Sequence, residues 1–321
     1  MANLKDIRVR IGSVKTTRQV TSAMKMVSAA KFKKGHDRII AIRPYVTKLS
    51  NIVLDLVNTA GDMYGGLYSQ KREVNRVLVV VITSNRGLCG AFNTNVIKQT
   101  EKFIKSDLKA QLANRSVDIL AIGKQGEKVL RGHGFNIIES HNDLINNLDF
   151  DASNIIADDI CTKFIDKTYD LVVMIYNEFV NAAVQNVKVH QFLPLEIPLV
   201  KNAVKEDFIF EPNIHELIDN VVPKALRTMF YHELLESVAA EHGARMTSMH
   251  KATDNATQML SDLQLQYNKA RQSSITNEIL EIVGGAEALS GNKSFGISPF
   301  FVDPELREID DEHDEEFLSK R

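Results

Sequence analysis

The chain has no tryptophan, only two cysteines and only seven prolines in 321 residues. It also has no run of eighteen apolar residues, so no segment reads as a membrane span. Cys89 and Cys161 fit neither a C-x-x-C pair nor a metal-ligand spacing and are expected as reduced thiols. The nine histidines are dispersed; His242 and His250 lie eight apart, and H-E-x-x-H does not occur. No Ser, Cys, Asp or Glu arrangement reads as a catalytic triad or an acid/base pair. The N-terminus lacks an apolar signal core. It is basic and amphipathic, as a mitochondrial transit peptide is, but its stripe runs on for some fifty residues and leaves no separate cleavable piece.

What is present is a core and long helices. The composition is 44% hydrophobic and 25% charged, which suits a globular chain of one large or two modest domains. The net charge of −2 hides an asymmetry. Residues 1–43 carry eleven Lys/Arg against Asp6 and Asp37, and residues 303–321 carry nine Asp/Glu against Arg307, Lys320 and Arg321. The basic end does not read as a nucleic-acid surface. Its cations interleave with an apolar stripe, and no aromatic side chain precedes Phe32.

Steps of three and four from Leu4 give Leu4, Ile7, Ile11, Val14, Arg18, Thr21, Lys25, Ser28, Phe32, Gly35, Ile39, Ile42, Val46, Leu49, Val53 and Leu56. Eleven of these sixteen are apolar, and all the failures except Gly35 fall between Arg18 and Ser28. Inside that gap the apolar row moves to Val20, Met24 and Val27. The spacing predicts a coiled-coil seam with a local change of register. Pro44 is expected to kink the helix. A second stripe runs through Met246, Met249, Thr253, Ala256, Leu260, Leu263, Tyr267 and Ala270. It then slips to Ile275, Ile279, Ile282, Ala286 and Leu289. Each stripe is expected to cover the other in an antiparallel pair, with Met24 near 260–280 and the stripe of 275–289 left over.

Between the helices, strands are predicted at 77–83, 117–123, 135–139, 170–176 and 187–193, and helices at 91–107, 124–132 and 151–167. The alternation predicts a Rossmann-like, doubly wound α/β domain. The organisation is therefore a helix at 1–58, an α/β domain at 59–211, a helix at 212–289 and an acidic, flexible tail at 290–321. Thr83–Gly90 follows the first strand, where phosphate binds in Rossmann-like sheets. Yet neither G-x-G-x-x-G nor G-x-x-x-x-G-K-[ST] occurs, so its glycines read first as a tight turn. Met24-Lys25-Met26-Val27 places flexible thioethers on the first helix.

Three segments carry a resemblance. Thr21–Lys31 (TSAMKMVSAAK) resembles the N-terminal signature of the γ subunit of F-type ATP synthases. Thr83–Gly90 is similar to that family's loop after the first strand. Ile275–Ala288 is similar to its C-terminal signature, I-T-x-E-x-x-E-x-x-x-G-A-x-A, and Glu241–Met249 and Ala252–Ala256 fit as well. The resemblance spans about 1–289 and implies a rotor shaft inside a hexamer of three α and three β subunits. Its α/β domain would grip ε and the membrane c-ring. ATP would be made in β, with no catalytic residue, cofactor or metal in this chain. By motif, Met24, Lys25, Arg245, Gln272, Thr276 and Glu278 are expected at the contacts with the catalytic subunits. The resemblance implies the cytoplasmic face of a bacterial plasma membrane, with peripheral attachment. The family usually ends near Leu289, so 290–321 is an addition, and the regulatory cysteine pair of chloroplast members has no counterpart. Two competing classes are a stand-alone nucleotide-binding α/β protein with a coiled-coil arm, and a coiled-coil adaptor.

Overall fold

A computed structural model describes residues 4–60, 67–70, 72–182, 184–195, 211 and 213–289. The acidic tail at 290–321 lies outside the described residues. The described chain divides into two units, Lys5–Gln264 and a second holding Leu4 and 265–289.

The larger unit is built on a five-stranded sheet, with β1 (Val77–Ile82), β2 (Val117–Ile122), β3 (Asn136–Ser140), β4 (Leu171–Phe179) and β5 (Gln185–Leu193). The order is β3-β2-β1-β4-β5. The first four strands are parallel, and β5 returns antiparallel beside β4. Strict strand–helix alternation therefore ends at β4. Only a turn separates β4 from β5, and a turn can join only antiparallel neighbours.

β1 and β2 are buried along their whole length, as their unbroken apolar runs require in a sheet covered on both faces. One face, with Val77, Val79 and Val81, packs on α2 (Phe92–Ser106) and α4 (Lys124–Gly132) through Val96, Ile104 and Leu130. Between them lies the short α3 (Lys109–Ala113). The other face, with Leu78, Val80 and Ile82, packs on Ile160 and Phe164 of α5 (Phe150–Ile165). The terminal helices α1 (Leu4–Ala60) and α6 (Ile214–Leu289) join that same core through Leu49, Val53, Leu56, Leu226, Phe230 and Leu234.

Within this unit α1 and α6 run antiparallel. Thr21 meets Thr253, Lys25 meets His250, Gly35 meets Ala239 and Arg43 meets Glu236. One set of numbers rises as the other falls. The antiparallel expectation holds, but the register corrects the placement of Met24. It lies beside the 250–253 turn of α6, not beside 260–280.

The expected change of register in α1 is also corrected. The covered positions continue through Arg18, Thr21, Lys25, Ser28 and Phe32 in unbroken 3-4 steps. Val20 and Val27, the supposed new seam, are 52% and 58% exposed. The polar residues hold the seam and the valines face out. The helix continues through Pro44.

Candidate functional site

Two polar places in the larger unit bear on function: the β1–α2 loop against α6, and the polar stretch of the seam. The loop begins where β1 ends. Thr83 Oγ1 accepts from the Gly126 amide at 2.9 Å, and the Ser84 amide donates to Asn93 Oδ1 at 2.9 Å. The amides of Gln125 and Lys124 go to Ser84 O and Asn85 Oδ1. Gly123 has φ +115°, and a Cβ there would stand 2.1 Å from Thr83 O, so only glycine fits. The amides of Ser84, Lys124, Gln125 and Gly126 around this loop are thus paired within the protein. Within the loop itself Gly90 also takes a positive φ, which fits the tight-turn reading.

The loop's far side is tied to α6. Arg245, buried, donates through Nη2 to Arg86 O at 2.9 Å and Gly87 O at 3.3 Å. Its Nη1 pairs with Glu241 one turn earlier. Burial pushes the Glu241 carboxyl up, and the Arg245 guanidinium opposes that shift. Gly90, at φ +61°, sits so close that a Cβ would meet Ser248 Oγ at 2.8 Å. Cys89 is buried beside Ser84 and Asn93, and burial raises its thiol above the usual range. It is a packing residue, not a nucleophile. The tip remains outside: Leu88 is 66% exposed.

Along the seam, Thr253 Oγ1 donates to Thr21 Oγ1 at 2.9 Å. Lys25 Nζ lies 3.4 Å from His250 Nδ1, and Ser28 Oγ turns back to Met24 O at 2.7 Å. Met24 is half-buried and Met26 exposed. Across the pair this stretch offers the Thr21–Thr253 hydroxyl bond and the Lys25–His250 contact, where the rest of the seam uses Ile39, Leu49 and Leu56. Nothing in the spacing of one helix shows the hydroxyl of Thr21 to be matched by another; that needs both sequences in register.

The 265–289 segment, taken by itself, is helical and exposes Ile275, Ile279, Ile282 and Leu289. Thr276 Oγ1 donates to Gln272 O at 2.9 Å, and Ser274 Oγ reaches Glu278 Oε1 at 3.3 Å. Of the six expected contact residues, the structure brings Met24 and Lys25 together on α1. Gln272, Thr276 and Glu278 lie together on the exposed segment. Arg245 stands apart, with its guanidinium turned inward. Glu241, its partner, was legible only as part of a motif. Among the described residues no His/Cys/Asp/Glu group could hold a metal, and no helix is long and apolar enough to cross a membrane.

A mostly parallel α/β domain from which two long helices leave as an antiparallel pair has the architecture of the rotary central-stalk class. The profile of the ATP synthase family matches residues 3–289. The ATP synthase gamma chain of Flavobacterium johnsoniae is 52% identical over 297 residues, covering 91% of this chain and all of that one. The gamma chains of Cytophaga hutchinsonii and Chlorobium phaeobacteroides are 44% and 42% identical over similar spans. A solved Euglena gracilis mitochondrial ATP synthase, containing F1 and the c-ring, shares the fold at TM-score 0.65, over 92% of this chain and 97% of that chain, with 20% identity. This chain belongs to the ATP synthase gamma chain family. Its function is that of the central rotor shaft of an F-type ATP synthase, coupling transmembrane ion flow to ATP synthesis.

Proposed function

We propose that the chain is a non-catalytic shaft that turns inside a hexamer of α and β subunits. Its α/β domain is held by ε and the membrane c-ring, on the cytoplasmic face of a bacterial plasma membrane. The observation that carries this reading is the α1–α6 pair with a polar, weakly bonded seam beside Met24 and Lys25. A shaft needs length and few fixed bonds to its bearing, and each exposed polar contact contributes only about 1 kcal/mol. Met24 and Lys25 would touch the catalytic subunits from α1. Gln272, Thr276 and Glu278 would touch them from the exposed segment. Arg245 would act there through the loop tip it holds. Catalysis would lie in the β subunits, as the resemblance to the family implies.

The test is assembly. A tagged full-length chain should bring α and β subunits and ATPase activity through purification, and alone should show no saturable ATP binding. Tight ATP binding by the isolated chain, with no co-purifying subunits, would restore the nucleotide-binding alternative.

A further inference from the structure

A cavity of about 220 Å³ opens where α1, β4, β5 and α6 meet, away from the loop and the polar seam. Shaft function makes no use of the groups around it. Glu233 and Glu236, on α6, are both buried. Glu233 Oε1 pairs with His190 Nδ1 at 2.5 Å, while Glu233 Oε2 and His232 Nε2 have no hydrogen-bond partner. Glu236 Oε1 lies 3.5 Å from His232 Nε2 and 3.6 Å from Arg43 Nη2 of α1. The remaining charges are Glu178 on β4 and Lys188 on β5, paired at 3.0 Å, with Tyr176 of β4 also facing the space. Three carboxylates thus share one small space, two of them buried. All three cannot be ionised there without a large cost.

We propose that this cavity is a proton-binding site whose occupancy sets the hold of α6 on α1. With Glu236 protonated, Arg43 is released to water and the buried carboxyl costs the closed pair little; with Glu236 ionised, Arg43 is drawn to it but offsets the buried charge only in part, so opening of the pair is favoured. The proton comes from and returns to solvent through the cavity mouth, so charge balances without another reactant. Burial is the main cause raising the Glu236 carboxyl to about 7, with Glu178 adding to it and Arg43 and Lys188 opposing. Burial also holds the His232 imidazole below its ordinary range, helped by Arg43 and Lys188. The Arg43 side chain is itself half in solvent, which makes its release cheap.

Two measurements on the full-length chain test this. Infrared difference spectra should show a protonated-carboxyl band that vanishes with a midpoint near pH 7 and is absent in Glu236→Gln. Amide exchange of residues 39–47, corrected for the chemical rate, should quicken about fivefold from pH 6 to pH 8, because opening the pair returns an ionised Glu236 to water. That quickening should vanish in Glu236→Gln and move to higher pH in Arg43→Gln. Arg43→Gln, at a half-exposed position, leaves the core untouched and should raise the infrared midpoint. A band that does not titrate near neutrality overturns the proposal. So does exchange in 39–47 that follows pH equally in wild type and both variants.

Discussion

Arg245 shows how one side chain joins two parts of the fold. It balances a buried carboxylate and holds two loop carbonyls at once. Removing it leaves Glu241 buried without its counter-charge, which typically costs about 3–5 kcal/mol. We predict that Arg245→Met lowers unfolding stability in urea by about 3 kcal/mol, and that adding Glu241→Gln restores part of it. A loss no larger than that of an ordinary surface substitution would show the clamp to be idle. Glu236 makes a second prediction with a definite sign. Burial raises its carboxyl in the folded chain to about 7, above the ordinary value of 4.5. Between those values the folded chain keeps a proton that the unfolded chain has released. Stability is therefore lost as pH rises through that window, by up to roughly 3 kcal/mol. Urea midpoints should fall between pH 5 and 7.5, and Glu236→Gln should flatten the fall. An unchanged slope in that variant would assign the loss to other groups.

At the scale of elements, the seam of α1 is the instructive case. Because Arg18, Thr21, Lys25 and Ser28 occupy covered positions, that stretch buries little apolar surface. Amides of 18–28 should therefore exchange faster than those of 46–56. Thr21→Val with Thr253→Val should slow them by replacing a matched hydroxyl pair with apolar contact. Equal protection of the two stretches in the unaltered chain would refute the weakness. The same seam shows what a sequence discloses. Its phase was legible from Leu4 to Leu56, as were the buried strands β1, β2 and β4, whose apolar runs admit few other placements. The register change was misread because valines were followed in preference to phase. Phase is set by the backbone and continues when polar residues occupy it. The partner register was out of reach, since a 3-4 pattern looks the same after every turn. The cavity beside Glu236 was equally hidden. Arg43 comes from α1, Glu178, Lys188 and His190 from the β4–β5 hairpin and Glu236 from α6, and no spacing links these three parts of the chain.

At the scale of the whole molecule, the prediction concerns coupling. In the assembled enzyme, Lys25→Glu and Glu278→Ala should leave ATP hydrolysis largely intact while ion uptake per ATP falls in membrane vesicles. If both rates drop together with the amount of assembled complex, these residues serve assembly and the contact role is wrong. The polar stretch of the seam has one more consequence, mechanical in kind. A two-stranded rod under torque twists most where its strands are least firmly joined. On either side of Arg18–Ser28 the covered positions are apolar, with Ile7 buried on one side and Ile39, Leu49 and Leu56 on the other, and close-packed side chains yield little. Between them the strands are linked by hydroxyls and an amine that can exchange partners with water at small cost. Angular strain would gather in those few turns and be returned from them, so this stretch would behave as a short spring between two stiff lengths of shaft.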